Sequence, residues 1–325
     1  MENKPLLSIC IPTYNRADYL KECLDSIVAQ FDDRDVRDNV EVVVSDNASP
    51  DNTRELVEKY RKKFSNVKYF RNEKNIGFDL NVANAVENAS GEYCWYMGDD
   101  DCISGNSLRF LTKFLKKNKV VILTVETENF TNLEKAILTN EDIRESSVSV
   151  FDSHDDFIKK GRCLGILSVF IFNRDLWLSF ADKDKFCAGW LYYEVILKMM
   201  PKVKQSFAYI NYPIVLAKPY AEWVKGGKEL HVFIEWKRLL ATLPDFGHDR
   251  ERVKKELSEF PRRLIIILLR AKGHDLGCSA RDLKLIWSEF YRSPFYLLVA
   301  TIIFFVPNRT VRFIRDTRKK IYAAK

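Results

Sequence analysis

The chain has 325 residues, 46% hydrophobic and 30% charged, with only 12 Gly and 10 Pro, a globular composition long enough for one large domain or two smaller ones and one that excludes extensive disorder. Its net charge of +7 is unevenly placed: residues 309–325, RTVRFIRDTRKKIYAAK, hold seven Lys/Arg and one Asp, so the rest of the chain is nearly neutral. A near-neutral body with a basic tail argues against nucleic acid as a partner, because binding a phosphate backbone needs a basic face on the fold itself. The seven cysteines are odd in number and scattered, with no CxxC pair. That disfavours zinc and reads as reduced thiols in a cytoplasmic protein. MENKP leads straight into a strand-like segment, so no signal peptide is expected.

In chain order, the first hundred residues alternate apolar runs with helical patterns. LLSICIPTY (6–14) predicts a buried strand, and ADYLKECLDSIVAQ (17–30) an amphipathic helix with Leu20, Leu24, Ile27 and Val28 on one face. VEVVVSD (40–46), TRELVEKYRKKF (53–64), VKYFRN (67–72), DLNVANAVENAS (79–90) and EYCWYMG (92–98) continue as strand, helix, strand, helix, strand. This order implies an α/β fold with a parallel sheet covered on both faces. SLRFLTKFLKKN (107–118) reads as a helix and VVILTVET (120–127) as a strand, while 128–160 is polar and reads as an irregular excursion. GILSVFIFNRDLW (165–177) predicts a strand entering a helix, GWLYYEVILKMM (189–200) a helix, and FAYINYPIVLA (207–217) one or two closing strands. From about 227 the pattern is mostly helical, with a soft boundary near 225.

In open parallel sheets, ligands sit beyond the carboxyl ends of the strands. Three polar clusters fall there: PTYNR (12–16), SDNASPDNT (45–53) and GDDD (98–101). Asp99, Asp100 and Asp101 repel one another unless a cation compensates them. Their hard oxygens suit Mg2+ or Mn2+, which commonly bridges protein carboxylates to substrate phosphates and stabilises charge on a departing nucleotide. The other reading is a helix N-terminus bearing acids that its dipole favours. Asp46 ends its strand, where it can accept from the imide N–H of a uracil-type base or from a ribose. Asn47 and Ser49 favour a turn, and Asp51 or Asn52 can cap the next helix. There is no Walker A pattern, no G-x-G-x-x-G and no G-x-S-x-G elbow, so ATPase, dinucleotide-oxidoreductase and hydrolase readings have no support.

LSICIPTYNRADYLKECLDSI, VVVSDNASPDNT and NIGFDLNVANAVENASGEYCWYMGDDD together resemble family 2 glycosyltransferases. The GEYCWYMGDDD version resembles the abequosyltransferase-like branch, which builds bacterial surface polysaccharides. The resemblance is strong over residues 6–125 and loose over 165–217. It implies a GT-A fold, a Rossmann-like, mainly parallel sheet flanked by helices, with a helical C-terminal extension. The catalytic domain would span 1–225, with a nucleotide-sugar half of about 1–125 and an acceptor half of about 126–225. Residues 226–325 would form a helical, basic, membrane-associating region.

The same resemblance implies an inverting, metal-dependent transfer from a nucleotide-sugar donor. Pro12, Thr13, Tyr14 and Arg16 would line the nucleotide pocket, and Asp46 would contact the base. Asp99 would hold the ribose side, with Asp100 and Asp101 facing Mn2+ or Mg2+. Many family members carry Asp one position earlier, where this chain has Gly98, so which of the three Asp ligates metal stays open. Arg71, at the end of the third strand, is either a diphosphate contact or part of a surface salt bridge. Asn75 and Gly77 follow in a turn, where glycine makes positive φ cheap.

Inversion by direct displacement needs a carboxylate to take the acceptor hydroxyl proton. Family members often supply it from a Glu-Asp pair at a helix start late in the catalytic domain, a position that falls here on Tyr192 and Tyr193. The nearest carboxylate, Glu194, is therefore the candidate base, with Asp184 and Asp182 behind it. The alternative for Glu194 is an ordinary exposed helix residue. His154 and His231 read as structural or surface residues. Trp177, Trp190, Tyr192 and Tyr193 offer ring faces to a sugar, or else belong to the core.

PFYLLVATIIFFVP carries an apolar run from Phe295 to Val306 between two prolines. As a helix of ~1.5 Å rise per residue it spans about 18 Å, short of the ~30 Å core of a bilayer. The basic tail follows, with Phe313, Ile314 and Tyr322 among Arg and Lys. Residues 295–325 thus read as an interfacial anchor on the inner face of the cell membrane. A core helix and a homodimer interface are the alternatives. RRLIIILLR (262–270) can join that face or pack inward. A membrane-surface enzyme suits a polyprenyl-diphosphate-linked saccharide acceptor. Two other classes compete: a sugar nucleotidyltransferase, opposed by the absence of glycine from IPTYNRADYL, and a non-catalytic nucleotide-sugar-binding module, opposed by the acid triplet and Asp46.

Overall fold

The computed structural model describes residues 4–129, 143–160, 166–203, 206–218, 229–274 and 279–323. They divide into two compact units, Met1–Phe186 with Leu191–Pro219, and Cys187–Trp190 with Tyr220–Lys325.

The first unit begins with β1 (Leu7–Thr13), α1 (Ala17–Val28), α2 (Arg34–Asn39), β2 (Val40–Asp46), α3 (Thr53–Arg61), β3 (Val67–Arg71), α4 (Phe78–Glu87) and β4 (Tyr93–Tyr96). β1, β2 and β4 are buried along their whole length, as strands covered on both faces must be. The four strands pair in parallel in the order β3–β2–β1–β4. α1 turns Leu20, Cys23, Leu24 and Ile27 into the core, and each large apolar side chain so buried contributes about 1.5–3 kcal/mol. The short helix α2 lay unnoticed in the sequence because only Val36 of it is buried; Asp33 caps it, accepting from the backbone of Asp35 and Val36.

The remainder of the unit contains β5 (Cys102–Ile103), α5 (Ser107–Lys117), β6 (Val120–Asn129), β7 (Val148–Phe151), α6 (His154–Lys160), β8 (Phe170–Asn173), α7 (Arg174–Phe180), α8 (Leu191–Met199) and β9 (Ser206–Ala217). The sheet continues from β4 as β8–β6–β9–β5, with β7 also on β9. β8 is antiparallel to both neighbours, and β5 and β7 are antiparallel to β9. β6 and β9 pair in parallel, so six of the nine described strands run one way and the sheet is mainly parallel, as the alternation implies, with β8, β5 and β7 running against it.

The expected irregular excursion at 128–160 is corrected in part. β6 runs on to Asn129, and β7 and α6 follow; residues 130–142 lie outside the described residues. β7 exists through its pairing with β9, a tertiary contact that local polarity does not announce. Cys10, Cys23, Cys94 and Cys102 are buried free thiols, while Cys163 and Cys278 lie outside the described residues.

The second unit contains α9 (Glu229–Phe246), α10 (Arg250–Ser258), α11 (Phe260–Gly273), α12 (Ala280–Phe290), α13 (Pro294–Phe305) and α14 (Asn308–Ala323). Phe260, Leu264, Leu268, Ile286 and Phe290 are buried in its core, where Phe233 stacks on both Phe260 and Phe290. RRLIIILLR divides accordingly: Leu264 and Leu268 point inward, and Ile266 and Leu269 are exposed.

Among the described residues no single helix is long and apolar enough to cross a membrane; α13 and the Asn308–Thr317 part of α14 meet at a bend of 100°. α13 buries Leu297 and Ala300. It leaves Phe295 (68%), Leu298 (61%), Ile302 (58%) and Phe305 (71%) exposed, a spacing that puts all four on one helix face.

Candidate active site

Strand register assembles the site. Thr13 lies opposite Asp46, Asp46 opposite Arg71, and Cys10 opposite Tyr96. PTYNR, SDNAS and GDDD therefore leave neighbouring strands at one edge of the sheet, as the alternation predicts.

The acid triplet is held from two sides. Asp99 is 5% exposed; Thr13 Oγ1 donates to its Oδ2 at 2.8 Å and Arg16 Nε lies 3.4 Å from its Oδ1. Arg16 Nη2 reaches Asp100 Oδ2 at 2.7 Å. Asp101 accepts from Ser168 Oγ, which in turn accepts from the Gly98 N–H at 2.8 Å. A Cβ on Gly98 would stand 3.1 Å from both Asp100 Oδ1 and Asp101 Oδ2, so a side chain there would crowd these two carboxylates where they fold back over the turn. Burial pushes the Asp99 carboxyl up to about 7, with Arg16 opposing and the Asp100 charge adding. Burial likewise pushes Asp101 up to about 7, helped by Asp100 and resisted by the Ser168 hydrogen bond.

Among the described residues no three His, Cys, Asp or Glu side chains converge into a closed metal cage. The donor set of the triplet is nonetheless all hard oxygen, and a guanidinium already lies against two of the carboxylates. These residues fit a Mg2+ or Mn2+ that takes one or two carboxylates and completes its shell from substrate phosphates and water.

On the neighbouring strands, Asp46 is fully buried. Its Oδ1 accepts the Ser49 N–H at 2.8 Å, and its Oδ2 accepts from Tyr69 Oη at 2.6 Å and Arg71 Nη1 at 2.7 Å. Arg71 Nη2 also donates to the Ser49 carbonyl at 3.0 Å. The base candidate and the diphosphate candidate are thus partners in one ion pair, and of the two it is Arg71 that is exposed. Burial, with Asp46 adding, pushes the Tyr69 hydroxyl up to about 12.

Two loops are pinned together beside this pair. Asn15 and Ala48 hold positive φ, 56° and 62°. The Asn15 N–H donates to Ser49 Oγ at 2.9 Å and the Ala17 N–H to Asp51 Oδ2 at 3.0 Å. Asp51 Oδ1 also accepts from Thr53, so this side chain ties the starts of α1 and α3 together. Pro12 is buried within β1, whereas Tyr14 is 43% exposed.

Sequence reasoning missed a chain of amides behind the loops. Asn81 bonds Ser45 through both side chain and carbonyl. Asn72 donates to Asn47 and Asn81, and Asn47 donates to Asn75 and the Gly77 carbonyl. The signal was present as repeated Asn in EKNIGFDLNVANAVEN, but separations of 9 to 36 residues hide which of them meet.

Glu194 is 5% exposed and paired with Lys198 at 2.5 Å, so the alternative of an ordinary exposed helix residue is overturned. The start of α8 is anchored by Asp79, another residue not singled out, whose Oδ1 accepts the Leu191 N–H at 3.1 Å. Asp182 and Asp184 are exposed, and Asp182 closes a local turn onto Asp184 and Lys185. Trp177 is 0% exposed and packs in a cluster with Tyr96 and Phe172; it is core and not a sugar platform. Tyr192 and Tyr193 are buried as well. Trp190 belongs to the second unit, stacked on Trp236 at 4.9 Å and donating to the Val232 carbonyl. His231, in the same unit, pairs with Asp282.

An acid triplet and an Asp–Arg pair thus stand at the carboxyl edge of a mixed, mainly parallel sheet flanked by helices, the architecture of the GT-A class of fold. Staphylococcus aureus TarS 1–349 in complex with UDP-GlcNAc matches with a TM-score of 0.61 at 18% identity, over 96% of this chain and 92% of that one. The mannosyltransferase PcManGT of Pyrobaculum calidifontis in complex with GDP-Man and Mn2+ matches with a TM-score of 0.56 at 16% identity, over 94% and 88%. At such identities the likeness establishes the fold. In sequence, residues 8–187 match glycosyl transferase family 2. The abequosyltransferase RfbV of Salmonella typhimurium is 31% identical over 308 residues, 88% of each chain. The chain belongs to glycosyl transferase family 2, in its abequosyltransferase-like branch.

Proposed function

We propose that the chain is an inverting glycosyltransferase that moves a sugar from a nucleotide-sugar donor to a lipid-linked saccharide acceptor, in bacterial surface glycan assembly at the inner face of the cell membrane. One observation carries the donor half of this reading: Thr13, Arg16, Asp99 and Asp100 interlock beside the Asp46–Arg71 pair. A nucleoside diphosphate needs acceptors for its base and ribose next to cations for its phosphates, and this edge offers both.

In this reading residues 1–125 form the nucleotide-sugar half and 126–225 the acceptor half. Pro12, Thr13, Tyr14 and Arg16 line the nucleotide pocket. Asp99, steadied by Thr13, takes the ribose. Opening of the Asp46–Arg71 pair offers a carboxylate to the base and a guanidinium to the diphosphate. A Mg2+ or Mn2+ held by Asp100 and Asp101 would neutralise charge on the departing diphosphate. Glu194, oriented by Lys198, accepts the proton of the acceptor hydroxyl as that oxygen attacks the anomeric carbon. The diphosphate leaves from the opposite face, which inverts the centre. The apolar face of α13 and the arginines of α14 support a membrane-surface role for 295–325, and a membrane-held acceptor suits an enzyme placed there.

Calorimetric titration with UDP, GDP, CDP and dTDP, each with and without Mn2+, tests the donor half. Binding of one nucleotide that is lost without metal and in Asp100→Ala is expected. Binding of none sinks the donor reading, and binding without transfer to any lipid-linked saccharide makes the chain a non-catalytic module of the same fold.

A further inference from the structure

We propose that Arg16 is the resident counter-cation of the acid triplet, and that it must release Asp100 before a divalent cation can take that carboxylate. The inference rests on the donor-binding reading above and assigns an order to it: nucleotide and metal enter together, and metal alone is held off.

The N–H groups on either side of Arg16 are fixed, that of Asn15 on Ser49 Oγ at 2.9 Å and that of Ala17 on Asp51 Oδ2 at 3.0 Å. Arg16 itself is the N-cap of α1, so any rearrangement belongs to its side chain. That side chain is one-quarter exposed and spans two carboxylates, with Nε 3.4 Å from Asp99 and Nη2 2.7 Å from Asp100. Its Cζ lies 4.6 Å from the centre of the Tyr19 ring, a cation–π contact.

A metal on the same Asp100 oxygen would share it with the guanidinium, whose Nη2 lies 2.7 Å away, and like charges brought that close repel strongly in a part-buried site. Arg16 and the metal therefore compete. The triplet keeps its shape while they exchange, because Thr13 holds Asp99 and Ser168 holds Asp101 independently of Arg16. Once released, the guanidinium lies in the crevice that the diphosphate enters, and its planar fork matches two phosphate oxygens. The nucleotide thus draws Arg16 away and opens Asp100 to the metal in one event. Arg16 acts here as a positioning residue for the cation.

The test is Mn2+ titration of the full chain, read by electron paramagnetic resonance of the free ion. Without nucleotide, Arg16→Gln is expected to bind Mn2+ at least fivefold more tightly than wild type. With the nucleoside diphosphate that calorimetry selects, the same variant is expected to bind nucleotide about tenfold more weakly. Arg16→Lys, which keeps the charge on a shorter reach, is expected to gain about twofold for Mn2+ alone, and it decides the matter if the Gln variant does not fold. Wild type that binds nucleotide with Mn2+, beside variants that gain nothing for Mn2+ alone, overturns the role of Arg16 and leaves the donor reading standing. Wild type that binds neither overturns both.

Discussion

Ser168 Oγ accepts the Gly98 N–H and donates its own proton to Asp101, so a hydroxyl 67 residues down the chain closes the acid turn. Ser168→Ala removes a buried donor from a carboxylate and an acceptor from a part-buried N–H. A loss of about 1–3 kcal/mol in stability is expected by urea denaturation. With Asp101 no longer fixed, metal-dependent nucleotide affinity should fall about tenfold in calorimetry. Unchanged affinity would mean that Asp101 takes no part in holding the cation.

Protonation of the triplet predicts a stability profile. Asp99 and Asp101 titrate near 7 in the folded chain, against 3.8 for an ordinary aspartate. Between those values the folded state binds more protons than the unfolded one. The contribution is therefore complete below about pH 4 and is lost as pH rises through 7. In chelator-treated protein the urea midpoint should fall between pH 5 and 7.5, and Asp99→Asn or Asp101→Asn should flatten that fall. A wild-type midpoint that stays level over the range would place both carboxylates in more polar surroundings than this geometry gives.

Glu41 has the opposite sign. It is buried near the start of β2 and would titrate high from burial alone, but Lys68, Ser8 and Ser90 hold its carboxyl below the usual 4.5. Its contribution is present above 4.5 and is lost as pH falls through the depressed folded value. Glu41→Gln should cost about 2 kcal/mol at pH 7, a figure kept modest because Lys68 is partly in water. The variant should also lose less stability on acidification than wild type, measured by denaturation at pH 7 and pH 3.5. Since Glu41 pairs in register with Ser8, at the amino end of β1, nucleotide affinity should stay unchanged.

These residues show where sequence is legible and where it stops. β1 to β4 with α1, α3 and α4 could be read because each is a local period of apolar residues, and the carboxyl-edge rule then placed Thr13, Asp46 and the triplet together without any alignment. Ser168, Tyr69 and the amides of Asn72 and Asn81 were invisible, and Asn47 showed only as a turn former, because their roles come from partners that only folding brings near. The same limit explains β7, whose residues pair with β9 although nothing local marks a strand. Asp46 and Arg71 were each picked out singly; their register, Asp46 opposite Arg71, is what makes them one unit.

For the base, geometry sets a sharp contrast. Glu194 is nearly buried and paired with Lys198. Glu194→Gln keeps the size of the side chain and removes the proton acceptor, so nucleotide affinity should stay within about twofold while transfer falls at least 100-fold. Lys198→Met serves as the control for a purely structural role, since it breaks the same ion pair and leaves the carboxylate. If Glu194→Gln keeps transfer, or loses it only together with nucleotide affinity and folding stability, the base lies elsewhere.

The exposed face of α13 carries the last prediction. Phe295, Leu298, Ile302 and Phe305 lie on one side of the helix, more than half exposed. The next helix turns away at 100° and brings the exposed Arg309 and Arg312, while Arg315 is engaged by the Gly273 carbonyl and Asp316. An apolar wedge flanked by arginines binds a lipid surface by two additive terms, burial of the wedge and about 1 kcal/mol per basic residue near anionic headgroups. The full chain should therefore sediment with vesicles containing 30% anionic lipid and bind neutral vesicles much less, with binding weakened by salt. Leu298→Glu with Ile302→Glu should cut vesicle binding at least tenfold. Both side chains face solvent, so the melting temperature should move little. If the double variant instead leaves vesicle binding intact and changes the sedimentation coefficient of the protein alone, the face joins two copies of this chain and the membrane contact lies elsewhere.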